Sequence, residues 1–475
     1  MDDRVKKELE DYAKSIGKGS FAFAFFMDKQ KEERDRGVTI SCTTKEFHTT
    51  NFHYTVIDAP GHKDFIKNMI SGASQADVAL LMVPAKQGGF EAAIQKGDGT
   101  DSDKGAKGQT RHHAELTNLL GIKQIMIGVN KMDEKSVKWD QGRFKEIKKN
   151  MLSMLKQAGW KTHGKPTDKK KKKGPALVPV IPISGWLGDN LIKPSTNMPW
   201  FNKKGWTATT PSGVKVKGQT LFEALDQFVE PVQRDLAKPL RMPLSGIFKM
   251  KGGTIITGRI EQGELLKEMK TKTGVSGTPV KFYPSGWEAK VFSIEAHHRQ
   301  QPKAIAGDNI GINIKGLPKG SQPKVGDIMG LSTDCITKGG TLGKTESFVA
   351  SVKVQEHPGK LKVGYTPLVL VRTAKSACKI TKILWKVTRI AQKSITGKTK
   401  KEKKDGFENA KEHNPKFIQK GDMAEVEFTP DSVPMTVQTA EECDGLGRCA
   451  VLESNSLVMI GKIMSVKQVA VKSRN

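Results

Sequence analysis

Three short strings hold residue types that can do chemistry together. The first is IDAPGHKDF at 57–65, where a β-rich run ends in Asp58, turns sharply through Ala-Pro-Gly and opens a helix. An Asp so placed can hold Mg2+ through a water, and the backbone N–H of Gly61 can donate to the outermost phosphate of a bound triphosphate, a contact available only before hydrolysis. His62 then stands beside the attacking water. The second string is NKMD at 130–133. The carboxylate of Asp133 can accept from both N1–H and the exocyclic amine of guanine, a donor pair that adenine lacks, and leaving it unpaired costs about 1–3 kcal/mol. Asn130 can contact the other edge of the base and tie neighbouring loops, while the stem of Lys131 packs on the base plane. The third string, SGW at 184–186, follows another apolar run, so the N–H groups of Ser184, Gly185 and Trp186 can reach the guanine oxygen. Upstream, KEERDRGVTI at 31–40 offers the Thr39 hydroxyl to a magnesium shell that also includes Asp58.

These loops need a scaffold that brings strand ends together. From 54 to about 230 the sequence alternates short β-rich apolar runs with longer amphipathic stretches, the order that builds a parallel sheet covered by helices. Strands are predicted at 53–58, 77–85, 124–130 and 177–184, and helices at 64–76, 111–121 and 141–159. Ligands of such doubly wound sheets sit at the carboxyl ends of the strands, where all three strings fall. After 236–244 the texture changes to short β-branched segments between Gly and Pro turns, which predicts two antiparallel β-barrels. The expected domains are therefore an α/β nucleotide-binding domain at 1–237, a barrel at 238–342 and a second barrel at 343–475.

Composition narrows the class further. The chain has 79 Lys+Arg against 50 Asp+Glu, a net charge of +29, and a surplus of that size attracts polyanions by releasing their counterions. RNA is the expected partner. Part of the surplus lies in two Lys-rich runs, about 161–174 and 396–416, read as solvated insertions. No stretch approaches the roughly 18 apolar residues that a membrane helix needs, and the N-terminal MDDRVKKELEDY is too polar for a signal peptide, so a cytoplasmic location is expected. Five scattered cysteines without a CxxC pair suggest reduced structural thiols.

Taken together, ERDRGVT, DAPGHKDFIKNMISGASQAD, VNKMD and PISGWLGDN followed by STNMPWF resemble the translational GTPases of the elongation factor 1-alpha class. Within it, GKGSFAFAFFMDKQKEERDRGVTISCTTKEF looks most like the elongation-factor-like GTPase that some algae and protists carry. The resemblance covers nearly the whole chain. It implies a P-loop-type G domain followed by two β-barrels, GTP/GDP and Mg2+ as ligands, and delivery of aminoacyl-tRNA to the ribosomal A site with GTP hydrolysis. It also implies a guanine-nucleotide exchange factor as partner and a monomeric protein. Residue by residue, it puts the switch I threonine on Thr39, the water-positioning histidine on His62 and the guanine readers on Asn130, Asp133 and Ser184. In the first barrel EAHH and GDN place tRNA-end contacts at His297 and Asn309, and in the second GYTPLVLVRTA places stem contacts at Arg372 and Thr373. Lys375 stands where the class commonly has a histidine, and GRCAVLES at 447–454 replaces a GRFAVRD-like string. A different class, a nucleotide-independent RNA- or cytoskeleton-binding paralogue, is the competing reading.

The class opens its G domain with a strand, a glycine-rich loop ending in Gly-Lys-Ser/Thr and a helix whose N-terminus faces the phosphates. Two Gly-Lys-Thr strings occur here, at 343–345 and 397–399, but the residue five before each is Lys338 or Gln392 rather than Gly. Both also lie in the barrel region. The expectation is therefore a sequence that starts at an internal Met of a longer protein. Without an inner strand, its neighbours would expose apolar faces and unpaired backbone.

Overall fold

The structure, a computed structural model, describes the chain except residues 1–2, 18, 20–21, 29, 37, 74, 96–107, 165–173, 251–252, 272–273, 297–298, 319, 356, 396–399, 455 and 475. It separates into two units, Met1–Val232 and Gln233–Asn475.

The first unit begins with helix α1 (Asp3–Ser15), followed by α2 (Lys31–Arg36) and an antiparallel hairpin of β1 (Thr43–His48) and β2 (His53–Asp58). A short helix α3 (Ile66–Ala73) leads to β3 (Val78–Pro84), α4 (Gly89–Ile94) and α5 (Gln109–Leu119). Then come β4 (Gln124–Asn130), α6 (Gln141–Gln157), β5 (Val180–Pro182) and α7 (Pro199–Asn202). A hairpin of β6 (Trp206–Thr209) and β7 (Lys215–Gly218) precedes α8 (Leu221–Gln227). β3, β4 and β5 are parallel and adjacent in that order. Ile125, Met126, Ile127 and Val129 of β4 are buried, as expected of a strand covered on both faces.

The predicted single sheet is divided. Strand 53–58 pairs antiparallel with 43–48, and no ladder joins β2 to β3 among the described residues. Leu80 and Met82 of β3, apolar residues suited to a covered sheet, are 37% and 42% exposed. Helix ends are set by local chemistry. Asp140 caps α6 by accepting from Arg143 N–H at 2.6 Å, and Thr220 and Glu223 form a reciprocal capping box at α8.

The second unit contains two closed antiparallel barrels. In the first, Met242–Met250, Gly253–Arg259, Asn309–Lys315, Glu288–Ala296, Pro279–Tyr283 and Ile328–Leu331 pair in a ring. Alternation along Asn309–Lys315 sends Ile310, Ile312 and Ile314 inward. In the second, Lys344–Val354, Met423–Pro430, Ala374–Val387, Leu368–Val371, Arg448–Glu453 and Ser456–Val469 close likewise. Thus Lys344 and Thr345 of the first Gly-Lys-Thr string open a barrel strand, while 397–399 lies outside the described residues.

The Lys-rich runs part company. Most of 161–174 lies outside the described residues, whereas Lys400–Asn409, in the run read as a solvated insertion, is a helix followed by largely exposed residues. Its Phe407 ring meets Trp385 edge to face at 5.8 Å and Lys411 Nζ lies 4.4 Å from the Trp385 centroid. Aromatic and cation–π contacts of this kind give a charged segment one sticky side.

Candidate functional site

The carboxyl ends of β4 and β5 hold two loops together. The chain leaves β4 at Asn130, whose Oδ1 accepts from Lys131 N–H at 2.7 Å and from Gly185 N–H at 2.9 Å. One side chain therefore fastens the NKMD loop to the SGW loop. Lys131 pays with φ of +62°, a left-handed conformation uncommon outside glycine. Met132 N–H donates to Ile183 O at 3.3 Å, and the buried Met132 side chain anchors the loop from below. Asp133 is partly exposed and Gly185 exposed, while the N–H groups of Gly185 and Ser184 are held by Asn130 Oδ1 and Asp189 O.

A second set of bonds stiffens the same region. Trp139 Nε1 donates to Asp189 Oδ2 at 2.7 Å, Ser195 Oγ donates to Asp189 Oδ1 at 2.6 Å, and Trp200 Nε1 donates to Trp139 O at 3.0 Å. Ser184 is fully buried, and its Oγ accepts from Leu187 N–H at 3.0 Å, which shapes the turn rather than pointing the hydroxyl outward. Trp186 is 54% exposed and meets Phe23 edge to face at 5.5 Å. Behind β3, the guanidinium of Arg143 donates to Ala85 O at 2.9 Å and pairs with Glu91 at 2.8 Å, fixing the loop that follows β3.

Asp58 ends β2. Burial pushes its carboxyl up from the usual range, and the charges of Asp28 and Glu33 push in the same direction. Asp28 is also raised, by burial first, while the hydrogen bond from Thr39 Oγ1 at 2.8 Å works against it. Glu33 is buried, yet N–H donors from Ser41, Gln30 and Ile40 outweigh burial and hold its carboxyl below the usual range. Those bonds, 2.9 Å to Ser41 and 3.0 Å to each of the others, bend 30–41 around one carboxylate. Asp58 and Asp28, both raised by burial and by neighbouring carboxylate charge, make a donor pair that a hard divalent cation would relieve. Thr39 fits the same set, because a hydroxyl that donates to Asp28 keeps lone pairs free.

Asp28 and Glu33 were not flagged by sequence reasoning. Glu33 is set by backbone amides and Asp28 by the Thr39 hydroxyl, partners brought round by the fold that leave no periodic or motif signal. Gly61 faces open space, with no atom within 4 Å of where a side chain would start. The His62 ring accepts from Asp64 N–H at 3.3 Å and lies 6.0 Å from the Phe65 ring. It is thus held within its own turn, half exposed.

The chain as a whole has counterparts among known proteins. The Elongation factor Tu GTP binding domain matches residues 3–231, Elongation factor Tu domain 2 matches 253–330, and the GTP-eEF1A C-terminal domain-like family matches 347–464. The chain is similar to elongation factor 1-alpha of Meyerozyma guilliermondii, 41% identical over 469 residues that cover 98% of this chain and 89% of the relative. Elongation factor 1-alpha of Saccharomyces cerevisiae is 40% identical over 467 residues, again 98% and 89% of the two chains. The chain belongs to the elongation factor 1-alpha family of translational GTPases. Among solved structures, the GTPase-like domain of S. cerevisiae Ski7 bound to GTP shares the fold, with a TM-score of 0.63, 16% identity and coverage of 96% of this chain and 90% of that one.

The family frame gives the barrel residues their context. Asn309 begins its strand opposite Arg259 and is partly buried, while His297 lies outside the described residues. Arg372 has φ of +53° and donates through Nη2 to Glu261 Oε2 at 2.8 Å, a nearly buried pair between the two barrels of this elongation-factor-type chain. Thr373 Oγ1, also buried, has no hydrogen-bond partner among the described residues. Arg241, 1% exposed, adds a second link, donating through Nε to Gln438 at 2.7 Å and through its other nitrogens to Asp334, Thr341 and Leu240 O.

Proposed function

We propose that this protein carries aminoacyl-tRNA to the ribosomal A site as a complex with GTP and Mg2+, and releases it when GTP is hydrolysed. The observation that carries the reading is the Asn130 tie, which joins two loops of guanine-reading composition in a chain similar to elongation factor 1-alpha along nearly its whole length. Asp133 would accept from the two guanine donors and the stem of Lys131 would cover the base; of the three amides expected to reach the guanine oxygen, Gly185 N–H is taken by Asn130 Oδ1 and Ser184 N–H by Asp189 O at 3.2 Å, which leaves that role to Trp186 N–H. Asp58 and Thr39 would hold Mg2+, which when bound neutralises charge on the β- and γ-phosphate oxygens. Gly61 would sense the γ-phosphate, and His62 would orient the attacking water after leaving its contact with Asp64 N–H.

His297 and Asn309 would serve the aminoacylated tRNA end, and Thr373 the stem, with Arg372 positioned through Glu261. The functional domains are read as 1–237, 238–342 and 343–475, with closest kinship inside the class to the elongation-factor-like GTPases. An exchange factor, monomeric action and a cytoplasmic location complete the reading. No described helix is long and apolar enough to cross a membrane.

The test is the affinity of aminoacyl-tRNA for protein isolated from its own cells, measured with GTP, with GDP and without nucleotide over a salt series. A carrier binds tightly with GTP and weakly with GDP. Equal affinity in all three, steep only in salt, would show the nucleotide-independent RNA binder instead.

A further inference from the structure

The β1–β2 hairpin carries a cluster that nucleotide chemistry does not use. Strand alternation puts Glu46 and His48 on one face of β1, and the register sets His53 of β2 opposite His48. Thr49 N–H donates to Phe52 O across the turn at 2.8 Å. By the alternation of an antiparallel ladder, His48 and His53 then form a non-hydrogen-bonded pair, the arrangement that brings cross-strand side chains closest. Their imidazoles are stacked with centroids 4.2 Å apart and planes 17° from parallel, and His53 Nε2 lies 2.7 Å from Glu46 Oε2. One ligand atom from each of the three residues falls within 4.8 Å of the others, and all three are exposed.

We propose that Glu46, His48 and His53 form a surface binding site for a divalent transition-metal ion of the zinc class, with water completing the coordination. Two imidazole nitrogens and one carboxylate oxygen are a borderline donor set, which suits zinc, nickel, copper or cobalt and not magnesium or calcium, whose preference is for oxygen alone. Zinc bonds of about 2.0–2.2 Å put tetrahedral ligand atoms roughly 3.3–3.5 Å apart, so separations of up to 4.8 Å must close by up to about 1.5 Å while the 2.7 Å contact of His53 with Glu46 opens by under about 1 Å. Rotation about χ1 and χ2 of the exposed side chains supplies that closure. The backbone beneath them is fixed: Asn51 at the hairpin tip donates through N–H and Nδ2 to the Asp226 carboxylate of α8 at 2.8 and 2.9 Å. An ion pair between His53 and Glu46 accounts for only two of the three residues and leaves the stacked ring of His48 without a role.

The site stands at the far end of the hairpin from Asp58, which pairs with Thr43. Five residues of strand at about 3.3 Å each separate the two ends by roughly 17 Å. Bound metal would therefore cross-link β1 to β2 near the turn without touching the nucleotide residues.

The experiment titrates the chelator-treated full chain with zinc chloride by calorimetry, then records the visible spectrum of the cobalt form. The expected result is one equivalent bound with micromolar affinity and cobalt d–d bands without a thiolate charge-transfer band. The doubly substituted chain His48→Gln/His53→Gln should keep its metal-free unfolding temperature and lose that equivalent. Three results would each overturn the proposal: no uptake by the unaltered chain, the same stoichiometry and affinity in the double variant, or a cobalt spectrum showing thiolate ligation.

Discussion

Asn130→Ala is the substitution that most sharply separates the base end of the site from its phosphate end. The amide oxygen it removes accepts two N–H groups, from Lys131 at 2.7 Å and Gly185 at 2.9 Å. Each bond is worth about 0.5–1.5 kcal/mol net, so the two together contribute about 2 kcal/mol to holding both loops in register. Lys131, strained at φ of +62°, relaxes once it is released, so the loops sample other conformations and the lost order appears as weaker nucleotide binding. A loss of about 2 kcal/mol corresponds to a roughly 30-fold rise in Kd. The assay is displacement of a fluorescent guanine nucleotide by GDP and by GTP, with hydrogen exchange followed at 130–133 and 184–188. Both nucleotides should weaken alike, because neither lost bond lies near the γ-phosphate, and exchange should quicken in both loops. Unchanged affinity, or a loss confined to GTP, would refute the claim that this amide ties the guanine half-site.

Other outcomes follow from the same contacts. Thr220→Ala removes the hydroxyl that accepts from Glu223 N–H, while the Glu223 carboxylate keeps the backbone N–H of residue 220, and should cost about 1 kcal/mol, read as a lower unfolding midpoint of the first unit in a denaturant titration. Glu261→Ala leaves Arg372 nearly buried without its carboxylate and should destabilise the second unit by about 3–5 kcal/mol, whereas the paired replacement of Glu261 and Arg372 by apolar residues should recover much of that loss. Glu33 has a folded-state pKa below its unfolded value, so its contribution is present above the unfolded pKa and lost as pH falls through the folded one. Glu33→Gln should therefore lower stability at neutral pH by about 2–4 kcal/mol and flatten the acid limb of the stability profile; a limb as steep as that of the unaltered chain would contradict the assignment.

The parts legible in the sequence were those with strong period or composition. The β-rich run at 124–130 and the amphipathic stretch at 141–159 became β4 and α6 almost as drawn, because both are long and buried. The hairpin partner Thr43–His48 was missed: TTKEFH alternates polar with polar, and what it covers is set by β2 and not by its own apolar content. The hairpin of β6 and β7 and the helices α1 and α8 went unread for a similar reason, being short or polar and stabilised by caps and neighbours. The helix Lys400–Asn409 was hidden by its lysines, since composition gives no sign that Phe407 meets Trp385. Of the proposed site, Asn130 and Asp133 are singled out in the sequence because their residue types match the donors and acceptors of one base at the end of a predicted strand, whereas the burial of Ser184 is visible only in the fold. Glu33 was not, because its chemistry lies in three amides that only the folded loop collects.

The most direct test of the account is competition at the base site among GDP, IDP and ADP against a fluorescent guanine nucleotide. Inosine lacks the exocyclic amine but keeps N1–H, so IDP removes one of the two donors assigned to Asp133 and should bind about 10- to 150-fold more weakly than GDP, a loss of about 1.5–3 kcal/mol for one bond to a charged acceptor. ADP, which presents neither donor, should fail to compete. ADP and GDP competing equally would mean that the NKMD and SGW loops do not read guanine, and the functional reading built on them would fall.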